Sequence, residues 1–379
     1  MASRPRAGQG IRTRLTGVAS LALVHERFTD FAGSELVVEQ FSRIWPDAPI
    51  LAPIVNPDIL PPGMSVRPGR LNRLYRNGGY AYLLPLLPRA MRTLPIPRVD
   101  AVLASHHAFA NQVVWATDSP VISYVHSPAR WMWEANMREG EIGGRVGEAA
   151  LAAFSATQRR RDYRAAQRVR SFIANSTAVA ERIRKWWNRE STVIFPPVDT
   201  TFYHPDPGVP REGFALVAGR MVPYKHPEIA IAAAERLGMP IVAAGDGRAM
   251  HACQQVAGRH TTFVGRVSNE QLRDLYRRCA CLVMPGEEDF GIVPVEAQAC
   301  GAPVVALRAG GALDTVIDGV TGLLVEPGRD LKSGFAEAMA HVEQMSWDRQ
   351  VIVEHASTFA RPVFRARIEE HVERILAAH

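Results

Sequence analysis

No stretch of this 379-residue chain holds 18 consecutive apolar residues, so the sequence contains no candidate for a membrane-spanning helix. Glycine and proline together make up 56 residues, too few and too scattered for collagen or a low-complexity chain. Cysteine is also scarce. The four present match no zinc or thioredoxin-like spacing, which predicts buried, reduced thiols in a cytoplasmic protein. The remaining composition, 47% hydrophobic and 22% charged, is typical of a globular enzyme with about two domains.

The N-terminal segment is basic and then briefly apolar. Its first 16 residues contain four arginines and no acidic residue, and the apolar run 17–24 ends at His25-Glu26-Arg27. This run is short for a signal peptide, and no convincing cleavage site follows it. The sequence therefore predicts a disordered tail over residues 1–15 that leads into a first strand.

Charge is unevenly distributed along the chain. Residues 1–200 carry 26 Lys and Arg against 16 Asp and Glu, whereas the remainder carries 18 against 22. This asymmetry predicts that the first half faces an anionic partner, either nucleic acid or an anionic lipid surface.

A proline-rich segment, Thr192 to Pro210, divides the chain. On both sides of it, short apolar runs alternate with amphipathic stretches, a pattern typical of βα units and a parallel, doubly wound sheet. We therefore expect an α/β fold with two Rossmann-like domains, residues 1–200 and 201–361, that face each other across a cleft. A helix at about 362–379 is expected to pack back on the first domain.

The segment Gly286 to Ala306 follows a predicted strand and contains a predicted short helix, Val293 to Cys300. The unpaired amides at the start of this helix would hold a phosphate. Glu288 precedes the helix and Glu296 lies in its first turn, where two carboxylates could accept hydrogen bonds from sugar and ribose hydroxyls. The alternative is that Glu296 only caps its helix and Glu288 is solvated.

A second candidate site follows an earlier strand, in the sequence Ala218 to Glu228. Arg220 and Lys225 lie on one short loop there, where a planar guanidinium and a point charge could together bind two linked phosphates without a metal. The alternative is that both side chains are solvated at the protein surface and bind no ligand. Its position at a strand end favours ligand contact, and no Asp-x-Asp metal motif occurs at any strand end.

These motifs resemble the retaining glycosyltransferases of family 4, which have the GT-B fold. Glu288 to Glu296 resembles the family's E-x7-E element, and 244–247 resembles its AGDG turn. Gly310-Gly311 and 319–322 resemble its GG and G-x-TG signatures. One departure is Leu313-Asp314, where the family often has Pro-Glu. The resemblance covers most of the chain and implies a GT-B architecture of two facing Rossmann-like domains.

The resemblance also implies roles for individual residues. Arg220 and Lys225 would bind the nucleotide diphosphate, Glu296 the ribose, and Glu288 the donor-sugar hydroxyls. The donor site as a whole would comprise Gly219, Arg220, Lys225, Gly245, Glu288, Phe290, Gly291, Ile292 and Glu296.

The N-terminal half contributes the expected acceptor side. Gly33 and Ser34 lie in a segment that resembles the family's glycine-rich loop near acceptor and diphosphate, although Ala32 replaces one glycine. The segment Ser123 to Glu134 resembles the His-x-Pro-x-Arg-x-x-Trp element of a subgroup rich in mannosyltransferases. Within it, His126 is a catalytic candidate, together with Glu288, Arg220 and Lys225 of the other half. Arg130 is expected either to contact phosphate or acceptor or to form a structural salt bridge.

The stretch from Arg67 to Arg98 contains seven arginines and no acidic residue, interleaved with leucines and tyrosines. This pattern is typical of an interfacial segment on anionic lipid. The competing interpretation is that the leucines face the core and the arginines keep the surface soluble. No helix-turn-helix, RNA-binding or zinc motif accompanies the basic surface, so nucleic acid is not an expected partner.

Together with the resemblance, which implies retention of anomeric configuration, these features predict a metal-independent, retaining hexosyltransferase without a cofactor, at the inner face of a membrane. Its donor would be a nucleotide sugar, with GDP-mannose as first choice and UDP-glucose, UDP-galactose or UDP-N-acetylglucosamine left open. Its acceptor would be a lipid-linked or cell-envelope glycan. The alternatives are a nucleotide-sugar 2-epimerase of the same fold and a catalytically inactive binding partner.

Overall fold

The computed structural model describes residues 19–76, 79–134, 144–328 and 330–378. The predicted N-terminal tail, residues 1–15, lies outside the described residues. No helix in the described part of the chain has both the length and the apolar character to cross a membrane.

The N-terminal domain is built on a parallel sheet of seven strands, beside which two further strands form a small pair. In chain order the strands are β1 (Leu21–His25), β2 (Arg27–Phe28), β3 (Ile50–Ala52), β4 (Ile54–Val55), β5 (Val66–Pro68), β6 (Ala101–His106), β7 (Val121–Val125), β8 (Ser171–Ala174) and β9 (Thr192–Val193). The order in the main sheet is β5-β3-β1-β6-β7-β8-β9, and β2 pairs with β4. Strands β1, β6 and β7 are buried along their whole length because helices cover both faces of a parallel sheet.

The helices of this domain lie between its strands. They are α1 (Gly33–Ile44), α2 (Leu87–Arg92), α3 (Arg130–Trp133), α4 (Gly144–Arg168) and α5 (Thr177–Trp187). Ser176 caps the start of α5, where its side chain accepts a hydrogen bond from the Val179 amide, and Asn188 follows the helix in the left-handed conformation.

The C-terminal domain repeats the same architecture with a parallel sheet of six strands. These are β10 (Ala215–Ala218), β11 (Ile241–Ala244), β12 (Thr261–Gly265), β13 (Cys281–Met284), β14 (Val304–Leu307) and β15 (Gly322–Val325), in the order β12-β11-β10-β13-β14-β15. The helices that follow them are α6 (Pro227–Leu237), α7 (Met250–Val256), α8 (Asn269–Arg278), α9 (Ile292–Ala299), α10 (Ala312–Thr315), α11 (Leu331–Gln344), α12 (Arg349–Ser357) and α13 (Arg361–Ala377). The predicted α/β class with two Rossmann-like domains is confirmed.

Each sheet contains one point at which the strand order reverses. In the N-terminal sheet it lies between β1 and β6, and in the C-terminal sheet between β10 and β13. Ligands of open α/β sheets bind outside the carboxyl ends of the strands at such points. The loops after these four strands are therefore the places to look for a site.

The last helix returns to the first domain. On α13, Phe364 stacks on Phe41 of α1 and contacts Tyr124 of β7 edge-on. The His371 ring also lies 2.9 Å from the Ser171 hydroxyl at the start of β8. Helix α13 is thus part of the N-terminal core, although it follows the C-terminal domain in sequence.

The strands β5 and β9 contain only three and two residues, too few to show a periodic pattern in the sequence. Helix α9 begins at Ile292, one residue earlier than expected. All four cysteines are free and buried, as predicted.

Candidate functional site

The loop after β10 carries the two cations that the sequence singled out. Pro223–Lys225 form one 3-10 turn, and His226 then adopts a left-handed conformation with φ of 50° before α6 begins. This geometry turns Lys225 toward the loop after β13, where its Nζ lies 2.7 Å from Oε1 of Glu288. Arg220 is exposed beside them and has no partner among the residues that the structure describes. These three side chains line a hollow of only about 20 Å³.

Glycines allow the loops around this hollow to approach one another closely. Gly245 has a φ of 143°, and a Cβ there would overlap the carbonyl oxygen of Gly219. A Cβ on Gly286 would likewise overlap the backbone of Lys225. The Gly311 amide donates a 2.9 Å hydrogen bond to the carbonyl of Glu288. Side chains at these positions would push the loops apart, so the glycines are required for the close approach of the cations and Glu288.

The N-terminus of α9 points into the same space. Gly291 precedes it with a φ of 82°, and no side chain caps the first turn. The unpaired amides at this end carry a partial positive charge that favours an anion. On the opposite side of the cleft, a Cβ placed on Gly33 would lie 3.1 Å from the Ile292 side chain. Gly33, at the start of α1, therefore faces α9 directly across the cleft.

Glu296 lies within α9. Its Oε2 accepts a 3.2 Å hydrogen bond from the Tyr276 hydroxyl. Burial raises the pKa of this carboxyl to about 7, and the Tyr276 hydrogen bond only partly offsets that effect. An arriving hydroxyl donor would stabilise the carboxylate form, because its hydrogen bond goes to the charged oxygen.

The predicted acceptor side lies at the reversal point of the other sheet. His126 directly follows β7, and its Nε2 is 2.8 Å from Oγ of Ser105 in β6. Its ring stacks on that of His107, with centroids 4.6 Å apart. Burial and neighbouring imidazoles hold the pKa of His126 well below its usual range, so the ring is neutral. Ser34 lies in the first turn of α1, next to Gly33.

Ion pairs join the two domains beside Glu288. Arg130 lies 3.4 Å from Oε1 of Glu287, and Arg182 of α5 lies 2.8 Å from the same oxygen. Arg182 also pairs with Asp289. Of the two roles predicted for Arg130, the structure shows the salt bridge. Sequence reasoning missed Arg182, because nothing local in α5 distinguishes it from a helix-surface arginine.

A second contact between the domains involves Asp314, the residue at which the motif departs from the family pattern. Its carboxylate accepts hydrogen bonds of 2.8 Å from both the amide and the hydroxyl of Thr177. Thr177 is the first residue of α5, so an acidic group lies where the helix end is partially positive. The charge retained at Asp314 is thus used to join the domains.

Possible metal ligands come together at one place in the described residues. His25, Glu35 and His107 offer ligand atoms within 4.8 Å of one another. This cluster lies in the N-terminal domain, away from Arg220 and Lys225. In the described part of the chain, no comparable set of ligands surrounds the two cations.

Comparison with known proteins agrees with this geometry. The model of glycosyltransferase family 4 matches residues 46–202, and that of glycosyl transferases group 1 matches 199–358. A D-inositol 3-phosphate glycosyltransferase of Mycobacterium sp. (strain KMS) is 30% identical over 339 residues, which cover 79% of this chain and 75% of that relative.

Solved structures share the fold at low identity. Anabaena Alr3699/HepE, in complex with UDP and glucose, matches with a TM-score of 0.67 and 20% identity over 94% of this chain and all of that one. Sucrose-phosphate synthase from Thermosynechococcus elongatus matches with a TM-score of 0.71 and 17% identity, over 96% of this chain and all of that one. At such identities the likeness concerns architecture.

Proposed function

Because this chain belongs to the GT-B glycosyltransferases, with a family 4 domain followed by a group 1 domain, we propose that it transfers a sugar from a nucleoside diphosphate donor to a glycan hydroxyl with retention. The observation that carries the proposal is the meeting of Arg220, Lys225, Glu288 and the α9 N-terminus at one strand-order reversal. Three positive groups there suit a diphosphate, and the carboxylate beside them suits sugar hydroxyls.

The Lys225–Glu288 ion pair gives the proposed site two arrangements. In the described structure Lys225 is bound to Glu288, and the hollow between the loops is small. A diphosphate would compete for Lys225 and free the Glu288 carboxylate to accept hydrogen bonds from the donor sugar. As the bond to the leaving diphosphate breaks, Lys225 and Arg220 would stabilise the charge that develops on it.

GDP-mannose is the first proposed donor, and only the resemblance of the element from His126 to Trp133 supports this choice. The UDP and glucose bound to Anabaena HepE support testing UDP-sugars beside it. The relatives named as D-inositol 3-phosphate glycosyltransferases support adding an inositol phosphate to the acceptors tested alongside lipid-linked glycans.

Thermal unfolding with a panel of nucleotides and nucleotide sugars tests the donor site. A bound donor stabilises the native state, so the correct one should raise the melting temperature in proportion to the logarithm of its concentration. We expect the shift and the transfer activity to persist in excess EDTA, because side chains and helix amides replace a metal at the diphosphate. Loss of turnover in EDTA with recovery on adding magnesium or manganese would contradict metal independence.

We further propose that the stretch from Arg67 to Arg98 binds an anionic membrane and brings the acceptor to the cleft. Arg70, Arg73 and Arg76 are exposed, and beside them Leu74 and Tyr82 are each 56% exposed. Other leucines of the stretch belong to the core, namely Leu71, Leu83, Leu87 and Leu94. The exposed apolar groups are therefore few, so charge should contribute most of the binding, on the order of 1 kcal/mol per arginine.

Vesicle co-sedimentation tests this surface. Vesicles that contain phosphatidylserine should pellet the wild type at low salt, and replacing Arg70, Arg73 and Arg76 with Glu should release it. Replacing Arg159, Arg160 and Arg164 of α4 with Glu is the matched control, since it changes the same charge elsewhere on the domain. Equal release by both triple variants, or no pelleting of the wild type, would contradict the proposal.

A further inference from the structure

Arg27 is a cation on the proposed acceptor side of the cleft that has no role in the site described so far. It begins β2, two residues after the end of β1, and therefore lies at the carboxyl edge of the N-terminal sheet. Glu26, the residue before it, accepts a 2.9 Å hydrogen bond from the amide of His107, which follows β6. The His107 ring stacks in turn on that of His126. Arg27 thus lies at the strand-order reversal, close to the loops that carry both rings.

The guanidinium of Arg27 has no hydrogen-bond or ion-pair partner among the residues that the structure describes. The residue is partly buried, and its Nε is fully buried. Arg273 and Arg349 also have a buried Nε without a hydrogen bond, but each donates to a backbone carbonyl through a terminal nitrogen. The terminal nitrogens of Arg27 have no such partner and are not among the buried atoms, so they are accessible to solvent.

The acidic residue next to Arg27 is used elsewhere. Oε1 of Glu26 accepts hydrogen bonds of 2.6 to 2.9 Å from four consecutive amides, those of residues 107–110. This carboxylate is thus bound to the loop after β6. Because a guanidinium stays charged at neutral pH, Arg27 is a partly buried cation whose donors lack acceptors. Such a group lowers stability unless a ligand supplies the acceptors, so its presence calls for an explanation.

An aromatic ring holds the guanidinium in place. The Cζ atom of Arg27 lies 4.2 Å from the centroid of the Tyr80 ring. This contact is attractive and restricts the movement of the side chain. Tyr80 belongs to the stretch from Arg67 to Arg98, which is proposed to bind an anionic membrane. Arg27 therefore lies where that stretch meets the cleft.

The chemistry of this position suits a phosphate. A guanidinium with accessible terminal N–H groups can donate two parallel hydrogen bonds, and a phosphate matches both their spacing and their charge. A sugar hydroxyl would leave the charge uncompensated. Arg130 and Arg182 are less suited to this task, because both already pair with Glu287.

We propose that Arg27 binds a phosphate group of the acceptor, so that the enzyme selects phosphorylated sugars or glycans. The acceptor part of this statement rests on the proposed function, whereas the binding of a phosphate at Arg27 does not. A phosphate that joins a lipid to its sugar offers the same chemistry as the phosphate of a soluble sugar phosphate. The contact with Tyr80 favours the lipid form, since a lipid held by the stretch 67–98 would place its phosphate between the membrane and the cleft.

Nitrogen-15 NMR observes this site without any turnover. The Nε–H signal of Arg27 is identified by its loss in Arg27→Gln. The experiment uses Lys225→Ala, in which the proposed diphosphate site competes less for the probes. We expect a saturable shift of the Arg27 signal with glucose 1-phosphate or with glucose linked to a water-soluble prenyl diphosphate, and no shift with methyl glucoside. No shift with either phosphorylated probe, or equal shifts with all three, would overturn the proposal.

Kinetics test whether the site serves the acceptor. For a phosphorylated acceptor, Arg27→Gln should raise the acceptor KM about tenfold and change donor KM little. The same substitution should not change KM for the same sugar without its phosphate, because the lost contact is absent there. Equal changes for both acceptors would show a structural role and reject the phosphate site.

Two further variants sharpen this comparison. Arg27→Lys keeps the charge but lacks the planar pair of donors, so it should recover only part of the loss. It also provides the measurement if Arg27→Gln folds poorly. Arg184→Gln, which changes an exposed arginine of α5, is the matched control and should behave as the wild type. An equal rise of acceptor KM in Arg184→Gln would mean that general surface charge, and not Arg27, attracts the acceptor.

The results also separate the source of the phosphate and the two proposals. An effect confined to the prenyl diphosphate probe assigns the site to a lipid carrier, and an effect confined to glucose 1-phosphate assigns it to a soluble acceptor. If the protein transfers sugar to no acceptor but the Arg27 signal shifts with a phosphorylated probe, the proposed function fails and the phosphate site stands. If transfer occurs and Arg27→Gln has no effect on it, the phosphate site fails and the proposed function stands.

Discussion

The two domains place different chemistry at the same topological position. At the reversal point of the C-terminal sheet, Arg220, Lys225 and Glu288 are charged and at least partly exposed. At the reversal point of the N-terminal sheet, neutral His126 is hydrogen-bonded to the buried Ser105. A site of partly exposed charges suits an anion, whereas a neutral imidazole of fixed orientation suits a hydroxyl. One fold thus supports two kinds of recognition, because only the residues after the strands differ.

The largest expected effect follows from removing charge on the C-terminal side. Lys225→Ala and Arg220→Ala should each remove roughly 2 to 4 kcal/mol of transition-state stabilisation from the transfer reaction. The reason is that both cations would stabilise the charge that develops on the departing diphosphate. Steady-state kcat/KM measures the effect. The control is Lys332→Ala, an exposed lysine on α11 of the same domain. Near-normal kcat/KM in the Lys225 and Arg220 variants would contradict the assignment and weaken the contrast between the domains.

A smaller effect should distinguish the two carboxylates. Glu296→Gln should mainly raise donor KM, since a ribose contact is shared by ground and transition states, whereas Glu288→Gln should mainly lower kcat. Because the pKa of Glu296 is about 7, donor KM in the wild type should rise as pH falls through 7 and the accepting carboxylate is lost.

Measuring donor KM between pH 6 and about 8 for both variants checks this prediction. The dependence should disappear in Glu296→Gln and persist in Glu288→Gln. The opposite ranking of KM and kcat effects would exchange the two roles.

The smallest effect is expected at the ion pairs that join the domains. Arg182→Ala removes the contacts to Glu287 and Asp289. We expect this loss to make the closed arrangement of the two domains less stable by about 1 kcal/mol. Small-angle X-ray scattering at low salt should then show a larger radius of gyration. Arg43→Ala, which removes an exposed pair with Glu39 within α1, serves as the control. An unchanged radius in Arg182→Ala would mean that other contacts, such as Asp314 to Thr177, hold the domains together.

The grouping of Arg220, Lys225 and Glu288 could be predicted from the sequence because these residues lie in two short local motifs. Arg220 and Lys225 lie five positions apart on one loop after one strand, and Glu288 lies just before the helix that contains Glu296. Apolar periodicity locates the strand ends, and short motifs then locate the side chains. The fold class followed from the same periodicity.

The contacts of Ser105 with His25 and His126, and the contacts between the domains, could not be predicted in this way. Ser105 lies 80 positions from His25, and Arg182 lies 107 positions from Asp289. Which of several strand ends become neighbours depends on the order of strands in the sheet, which local patterns do not determine. Buried serine and histidine also look the same in a sequence whether they pack or take part in a network.

The return of α13 makes the C-terminal domain an insertion within the N-terminal one. The chain leaves at Val198 and comes back beside it, where the Val198 amide bonds the Phe359 carbonyl at 2.9 Å and the Arg361 amide bonds the Val198 carbonyl at 3.2 Å. During translation, Phe364 is synthesised after the whole C-terminal domain, so Phe41 and Tyr124 gain this packing partner last. The N-terminal domain is therefore completed after the domain that is inserted into it. The two adjacent crossing points also form a natural boundary at which C-terminal domains could be exchanged between related enzymes.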